Sequence, residues 1–213
     1  MKLVIFDFDG TLADTETLIT QAMMKTLAEL HLEPSTSEQC RRLIGLPLAE
    51  TFTRLQPMTQ EMGERCAEVY QRIFARDNRP GVVRLFPQVR PTLQALYDAG
   101  LTLTVATSRQ RPSLMGFLRD MQIDHLFSYI VTVNDVAHAK PSPDMVLSTL
   151  AHTGINAADA LMVGDAVYDI QMGIAAGVHT CAVTYGNGSR QALEACGAEH
   201  LIDCFSQLAQ IAL

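Results

Sequence analysis

Apolar residues in this chain gather into short runs, with longer stretches of helical spacing between them. Residues 3–6 form the first run, Leu3-Val4-Ile5-Phe6. Further runs lie at 101–106, 129–133, 160–163 and 178–183, and a shorter one at 201–202. Runs of this length read as strands. Between them, 87–99, 112–121, 143–153, 167–176 and 189–196 carry helical patterns. Gly100, Gly154, Gly177 and Gly197 stand where those helices should stop. Ser142-Pro143 reads as an N-cap with proline in the first helical position. Strands alternating with helices in this way predict an α/β fold of βαβ units around a parallel sheet.

One stretch departs from the alternation, because residues 14 to about 80 offer no strand pattern. Leu18, Ile19, Ala22, Met23, Leu27 and Leu30 form one amphipathic stripe; Met62, Cys66, Val69, Ile73 and Phe74 form another. Pro34, Gly45, Pro47 and Pro57 divide the stretch into about four helices, and Asn78-Arg79-Pro80-Gly81 has linker composition. A helical insertion directly after the first strand is the expected arrangement. In a parallel sheet, ligands sit at the carboxyl ends of strands, so the insertion would cover that edge.

Composition narrows the functional classes. The chain has 213 residues, 48% hydrophobic and 18% charged, with a net charge of −7 and only three lysines. That suits a sizeable core with a smaller second unit and argues against binding along a nucleic-acid backbone. Five cysteines without a CxxC pair are expected to be reduced thiols in a cytoplasmic protein. Asp7 and Asp9 interrupt the first apolar run too early for a signal peptide, and no run approaches the roughly 18 apolar residues of a membrane span.

Polar residues at the strand ends carry the candidate chemistry. Asp7 and Asp9 follow the first run in Asp7-Phe8-Asp9-Gly10-Thr11. Side chains at i and i+2 leave a strand on one face, about 7 Å apart, and a divalent cation would relieve their repulsion. Asp-x-Asp-Gly is also turn composition. A calcium loop is excluded, since its twelfth position would fall on Leu18. The second run ends in Thr107-Ser108-Arg109, whose hydroxyl and N–H donors suit a phosphate oxygen, although such residues also cap helices. Lys140 lies in the stiff turn Lys140-Pro141-Ser142-Pro143, where a lysine is ordinarily a solvated charge. Asp165 and Asp169 share one face of a helix start, a position the helix macrodipole also favours for acids. Each group follows a different strand, so a parallel sheet brings them to one edge. Carboxylates that gather a cation, beside a hydroxyl and an ammonium that gather an anion, fit magnesium next to a phosphoryl group.

With these residues in place, the chain resembles the haloacid dehalogenase superfamily of phosphohydrolases over essentially its whole length. Asp7-Phe8-Asp9-Gly10-Thr11, Thr107, Lys140 in Lys-Pro-Ser-Pro, and Gly164-Asp165 with Asp169 match its four motifs in order. Val183-Thr184-Tyr185-Gly186 and Ala198-Glu199-His200-Leu201-Ile202 resemble the tail of the phosphoglycolate phosphatase-like branch. The resemblance implies a Rossmann-like, three-layer parallel-sheet core, residues 1–13 and 81–213, with an inserted α-helical cap of the C1 type at 14–80. It implies Asp7 as a nucleophile that forms an aspartyl-phosphate, and Asp9 as the acid and then the base. It implies phosphoryl binding by Thr107, Ser108 and Lys140, and Mg²⁺ held by Asp7, the Asp9 carbonyl and Asp165. Asp169 would act as a ligand through water or support the other ligands. The partner would be a small phosphorylated metabolite, acted on by a monomer or homodimer.

Departures from the pattern are Ala166, where relatives often carry Ser or Thr, and Arg109, where phosphoglycolate phosphatases often carry lysine after Asn. Substrate choice is expected to rest on cap residues near Arg41, Arg42, Gly45 and Arg54. A β-phosphoglucomutase-like phosphosugar mutase is the alternative activity, but Ile19 stands at its cap-histidine position and Leu46-Pro47-Leu48 lacks its arginine. A phosphonatase needs a cap lysine, and Lys25 is misplaced for it; Asp9 argues against a dehalogenase. A catalytically inactive binding member of the fold is the non-enzyme reading.

Overall fold

The computed structural model describes residues 1–213. In chain order its elements are β1 (Leu3–Phe6), β2 (Ala13–Asp14), α1 (Glu16–Glu29), α2 (Ser37–Arg41), α3 (Leu48–Leu55), α4 (Gln60–Asp77), β3 (Arg84–Leu85), α5 (Val89–Asp98), β4 (Thr102–Thr107) and α6 (Arg111–Asp120). There follow β5 (Tyr129–Thr132), α7 (Asp144–Thr153), β6 (Ala160–Gly164), α8 (Val167–Ala175), β7 (His179–Val183), α9 (Arg190–Ala195), β8 (His200–Ile202) and α10 (Leu208–Ala212).

Six strands form one sheet in the order β5-β4-β1-β6-β7-β8, and every neighbouring pair is parallel. The expected Rossmann-like core is therefore present. Side chains alternate across the sheet, as a strand's two-residue period requires. Val4, Phe6, Val105 and Val163 enter one apolar cluster, while Leu3, Ile5, Ala106 and Met162 enter a second on the opposite face. Helices cover both faces, which explains why β1 is apolar throughout rather than alternating. β1 lies between β4 and β6, so the chain crosses to opposite sides of it. The carboxyl end of β1 is the point where the strand order reverses, and such a point opens a crevice for a ligand.

Residues between β2 and β3 form four helices. α1 buries Leu18, Ile19, Ala22, Met23 and Leu27, and α4 buries Cys66, Val69, Tyr70, Ile73 and Phe74. These side chains join the larger core cluster, so the insertion is packed onto the sheet domain. Thr36 and Thr59 cap α2 and α4 with their hydroxyls. The two crossings between insertion and core run side by side as a short antiparallel ribbon, Ala13 opposite Leu85 and Asp14 opposite Arg84.

The structure corrects several details of the sequence reading. Asp14 belongs to β2, so the stretch expected to lack strands begins with one strand residue. Met62 is exposed, although it falls on the apolar stripe of α4. Pro143, not Ser142, holds the cap position of α7, and the Ser142 hydroxyl instead bonds Asp144 Oδ1 at 2.6 Å. All four expected stop glycines have positive φ. All five cysteines are free. No helix is long and apolar enough to cross a membrane.

Candidate active site

Asp7 continues β1 by one residue, with its N–H bonded to the Val163 carbonyl at 2.9 Å. That bond fixes the carboxylate at the end of the central strand. Asp165 follows β6 on the adjoining side, and Asp169 lies in the first turn of α8. One carboxylate oxygen each from Asp7, Asp165 and Asp169 lie within 4.8 Å of one another, and all three residues are buried.

Lys140 is the counter-ion. Its Nζ donates to Asp7 Oδ1 at 2.6 Å and to Asp169 Oδ1 at 2.7 Å. The residue is 1% exposed, which excludes the surface-charge reading. Thr11 Oγ1 donates to Asp165 at 3.0 Å. Asn187 donates to it twice, from the backbone at 2.7 Å and from Nδ2 at 3.0 Å. Asp169 Oδ2 accepts from the Ala166 N–H at 3.0 Å, a bond for which no side chain at 166 is needed. The backbone closes tightly on these carboxylates. A Cβ on Gly10, where φ is +84°, would stand 2.2 Å from Asp165 Oδ2, and one on Gly186 would stand 2.4 Å from the Gly10 carbonyl.

Of these three buried carboxylates, Asp7 and Asp169 share one ammonium, and Asp165 has none bonded to it. Burial pushes the Asp7 carboxyl up to about 7, only partly opposed by Lys140, and burial likewise holds Asp165 well above the usual range. Burial opposes the charge on Lys140, but Asp169 and Asp7 outweigh it and hold the ammonium above its ordinary pKa. An all-oxygen donor set with excess negative charge fits a hard divalent cation such as Mg²⁺. Stability should record the same imbalance. A carboxyl raised from 3.8 to about 7 binds its proton more tightly in the folded state, so the stability it contributes is lost as pH rises through about 7. In EDTA, the melting temperature should fall by several degrees between about pH 5 and about pH 8. Added Mg²⁺ should abolish that fall. Scanning calorimetry across the two conditions checks it, and a flat profile in EDTA would show that the cluster carries no charge strain.

Asp9 goes elsewhere. β1 ends at Phe6, and the chain turns as Leu12 and Ala13 both donate to the Phe8 carbonyl. Strand alternation therefore does not extend to Asp9, and its carboxylate is not part of the three-acid cluster. Arg109 takes it in a two-pronged pair, Nε to Oδ2 at 2.9 Å and Nη2 to Oδ1 at 2.6 Å. Arg109 Cζ also lies 4.8, 5.0 and 5.9 Å from the ring centres of Phe74, Phe117 and Phe8. Arg109 thus joins the core to α4, which its position in the sequence did not reveal.

Thr107 is buried at the end of β4, and its hydroxyl oxygen accepts from the Arg109 N–H at 3.2 Å. Ser108 was expected beside Thr107 as a phosphate donor, but its hydroxyl donates to the Gly45 carbonyl of the insertion at 2.6 Å. Asp7, Asp9, Thr107, Ser108 and Arg109 all border a chamber of about 620 Å³ between sheet edge and insertion. Of the four insertion residues expected to set specificity, only Gly45 lines it. Arg42 pairs with Glu38 and Arg54 with Glu50; Arg41 pairs with Glu38 and reaches the Asn187 carbonyl. Asn187 and Thr11 were not singled out beforehand. Gly186-Asn187-Gly188, separated from the end of β7 by two residues, was the available signal for the former.

Known proteins share both the sequence pattern and this architecture. Residues 4–183 match the family model of the haloacid dehalogenase-like hydrolases. The "Probable phosphatase IndB" of Dickeya dadantii (strain 3937) is 34% identical over 97% of this chain and 91% of its own length. Pyrophosphatase PpaX of Anoxybacillus flavithermus is 31% identical over 99% of this chain and 96% of its own. A crystal structure from Bacteroides fragilis, assigned as a haloacid dehalogenase-like hydrolase, superposes with a TM-score of 0.92 at 29% identity, covering 97% of this chain and 99% of that one. A predicted phosphoglycolate phosphatase from Haemophilus somnus 129pt gives 0.88 at 23% identity, over 100% and 98%. The chain is a phosphatase-type hydrolase and belongs to the haloacid dehalogenase-like hydrolase family.

Proposed function

We propose that this protein is a Mg²⁺-dependent phosphatase that hydrolyses a small phosphate monoester through an aspartyl-phosphate on Asp7. The observation that carries the reading is the placement of Asp7. It is buried, paired with Lys140, set beside two further carboxylates, and still borders the chamber. A carboxylate repels an anionic phosphate by about 4 kcal/mol at 4 Å and an effective dielectric near 20. Lys140 reverses part of that sign. Mg²⁺ held by Asp7, Asp165 and the Asp9 carbonyl, with Asp169 in support, would supply the remaining charge neutralisation.

An Asp7 oxygen then attacks phosphorus as the ester oxygen leaves, and Asp9 gives that oxygen its proton. In the second step Asp9 takes a proton from water, the water oxygen bonds to phosphorus, and the Asp7–phosphorus bond breaks to free phosphate. In the resting geometry both Asp9 oxygens are bonded to Arg109, so Asp9 leaves the guanidinium and takes a proton from solvent before it serves as the acid. Thr107 and Ser108 bind phosphoryl oxygens, Ser108 by releasing Gly45. Residues 14–80 serve as a cap that manages water over the core of 1–13 and 81–213.

A panel of phosphorylated metabolites tests the proposal. Phosphate release that requires Mg²⁺ and stops in EDTA is expected, with a denatured protein that carries one phosphoryl group after rapid quenching. No release from any ester would favour a binding-only protein, and isomerisation of β-glucose 1-phosphate would favour a mutase.

A further inference from the structure

The chamber above Asp7 says more about the substrate than the catalytic residues do. Its insertion wall is mainly apolar, with Ile19, Met23 and Phe74 among its residues, and its polar members Thr51, Gln71 and Asn78 carry no charge. Every lysine and arginine of residues 14–80 except Arg79 is ion-paired to a neighbouring carboxylate, and neither those residues nor the exposed Arg79 line the chamber. None of the six histidines borders it. Arg109 is the single basic residue on the wall, and it is 7% exposed and held by both oxygens of Asp9.

A leaving group that carries a carboxylate or a second phosphoryl group would therefore enter a space whose charged wall residues are Asp7, Asp9 and the paired Arg109, with no free cation. Unpaired charge in such a site is strongly disfavoured, whereas apolar surface moved there from water is favoured. We propose that the ester hydrolysed here has an apolar, uncharged leaving group, and that neither pyrophosphate nor a phosphorylated carboxylic acid is the preferred substrate. This rests on the phosphatase reading of the same site, and it separates this chain from relatives named as pyrophosphatases or phosphoglycolate phosphatases.

The test pairs binding with turnover. Benzylphosphonate, phosphonoacetate and methylenediphosphonate are titrated calorimetrically into the full-length protein at fixed free Mg²⁺. None of the three has a P–O–C or P–O–P bond to cleave. Benzylphosphonate should bind at least about tenfold more tightly than either charged analogue, an effect about as large as one or two buried methylenes. Benzyl phosphate should likewise exceed phosphoglycolate and pyrophosphate in kcat/KM. Tighter binding of phosphonoacetate or methylenediphosphonate would overturn the proposal and show that Arg109 leaves Asp9 for the second charge of the substrate. Failure of all three to bind would also overturn it. The expected binding order without turnover of any ester would uphold the chamber's selectivity and remove the phosphatase reading instead.

Discussion

Replacing Asp7 by Asn should reduce phosphate release by at least about 10⁴-fold and leave the protein folded. An amide oxygen is a poor nucleophile, and losing a nucleophile removes the covalent route, not just one contact. The fold should tolerate the change for an electrostatic reason. Asp7 is buried with its carboxyl pushed up to about 7 by desolvation, so its charged form is disfavoured in the native state. Asn keeps the shape and removes one of three crowded charges, while Lys140 retains Asp169 at 2.7 Å. In EDTA near pH 8 the variant should melt at the same temperature as the parent or above it. Binding of an unreactive phosphonate should survive within about tenfold, because Lys140 and Thr107 remain. Activity within tenfold of the parent would remove Asp7 from the role of nucleophile. Loss of activity together with loss of folding would instead mean that the Asp7–Lys140 pair anchors the end of β1.

The aspartates at the start of the chain show what a sequence can and cannot convey here. The order of β1, β4, β6 and their polar ends was legible because parallel strands must align their carboxyl ends. That constraint gathers Asp7, Thr107 and Asp165 without any knowledge of side-chain packing. The partners of those groups were not legible. Asp9 lies two residues from Asp7, yet the turn after Phe6 sends it to Arg109, a hundred residues away in sequence. Ser108 appeared suited to phosphate because it follows Thr107, but the insertion settles over it and its hydroxyl meets Gly45. The second outcome depends on where α1–α4 sit over the sheet edge, and Phe74 of α4 also packs against Arg109 in the first. That placement is set by apolar packing across the whole insertion, in which Tyr70 and Phe74 belong to the same buried cluster as Phe8 and Phe117. Helical periodicity identifies the apolar face of each helix but not the part of the sheet edge that the face meets. Ala166 stands where relatives often carry a hydroxyl, and its backbone N–H donates to Asp169.

Lys140→Met should have the largest effect on stability of any change at the site. Met matches the length of the lysine stem but brings no charge, leaving Asp7, Asp165 and Asp169 within 4.8 Å of one another and without a cation. Removing one partner from a buried ion pair typically costs about 3–5 kcal/mol, because the charge left behind stays desolvated. For a chain of this size that corresponds to roughly 10 °C in melting temperature. The carboxyls can escape part of the cost by taking up protons, so the loss should be small near pH 5 and largest above about pH 7. Mg²⁺ should recover much of it by supplying the missing positive charge. A purely steric defect would behave differently, since it would follow neither pH nor Mg²⁺. The double variant Lys140→Met with Asp7→Asn separates the two explanations. If charge is the cause, removing Asp7 relieves the crowding and raises the melting temperature of the single variant in EDTA. If packing is the cause, the second change leaves it unmoved or lowers it. A Lys140→Met protein that melts within about 2 °C of the parent at pH 8 in EDTA would mean that the three acids do not need their ammonium.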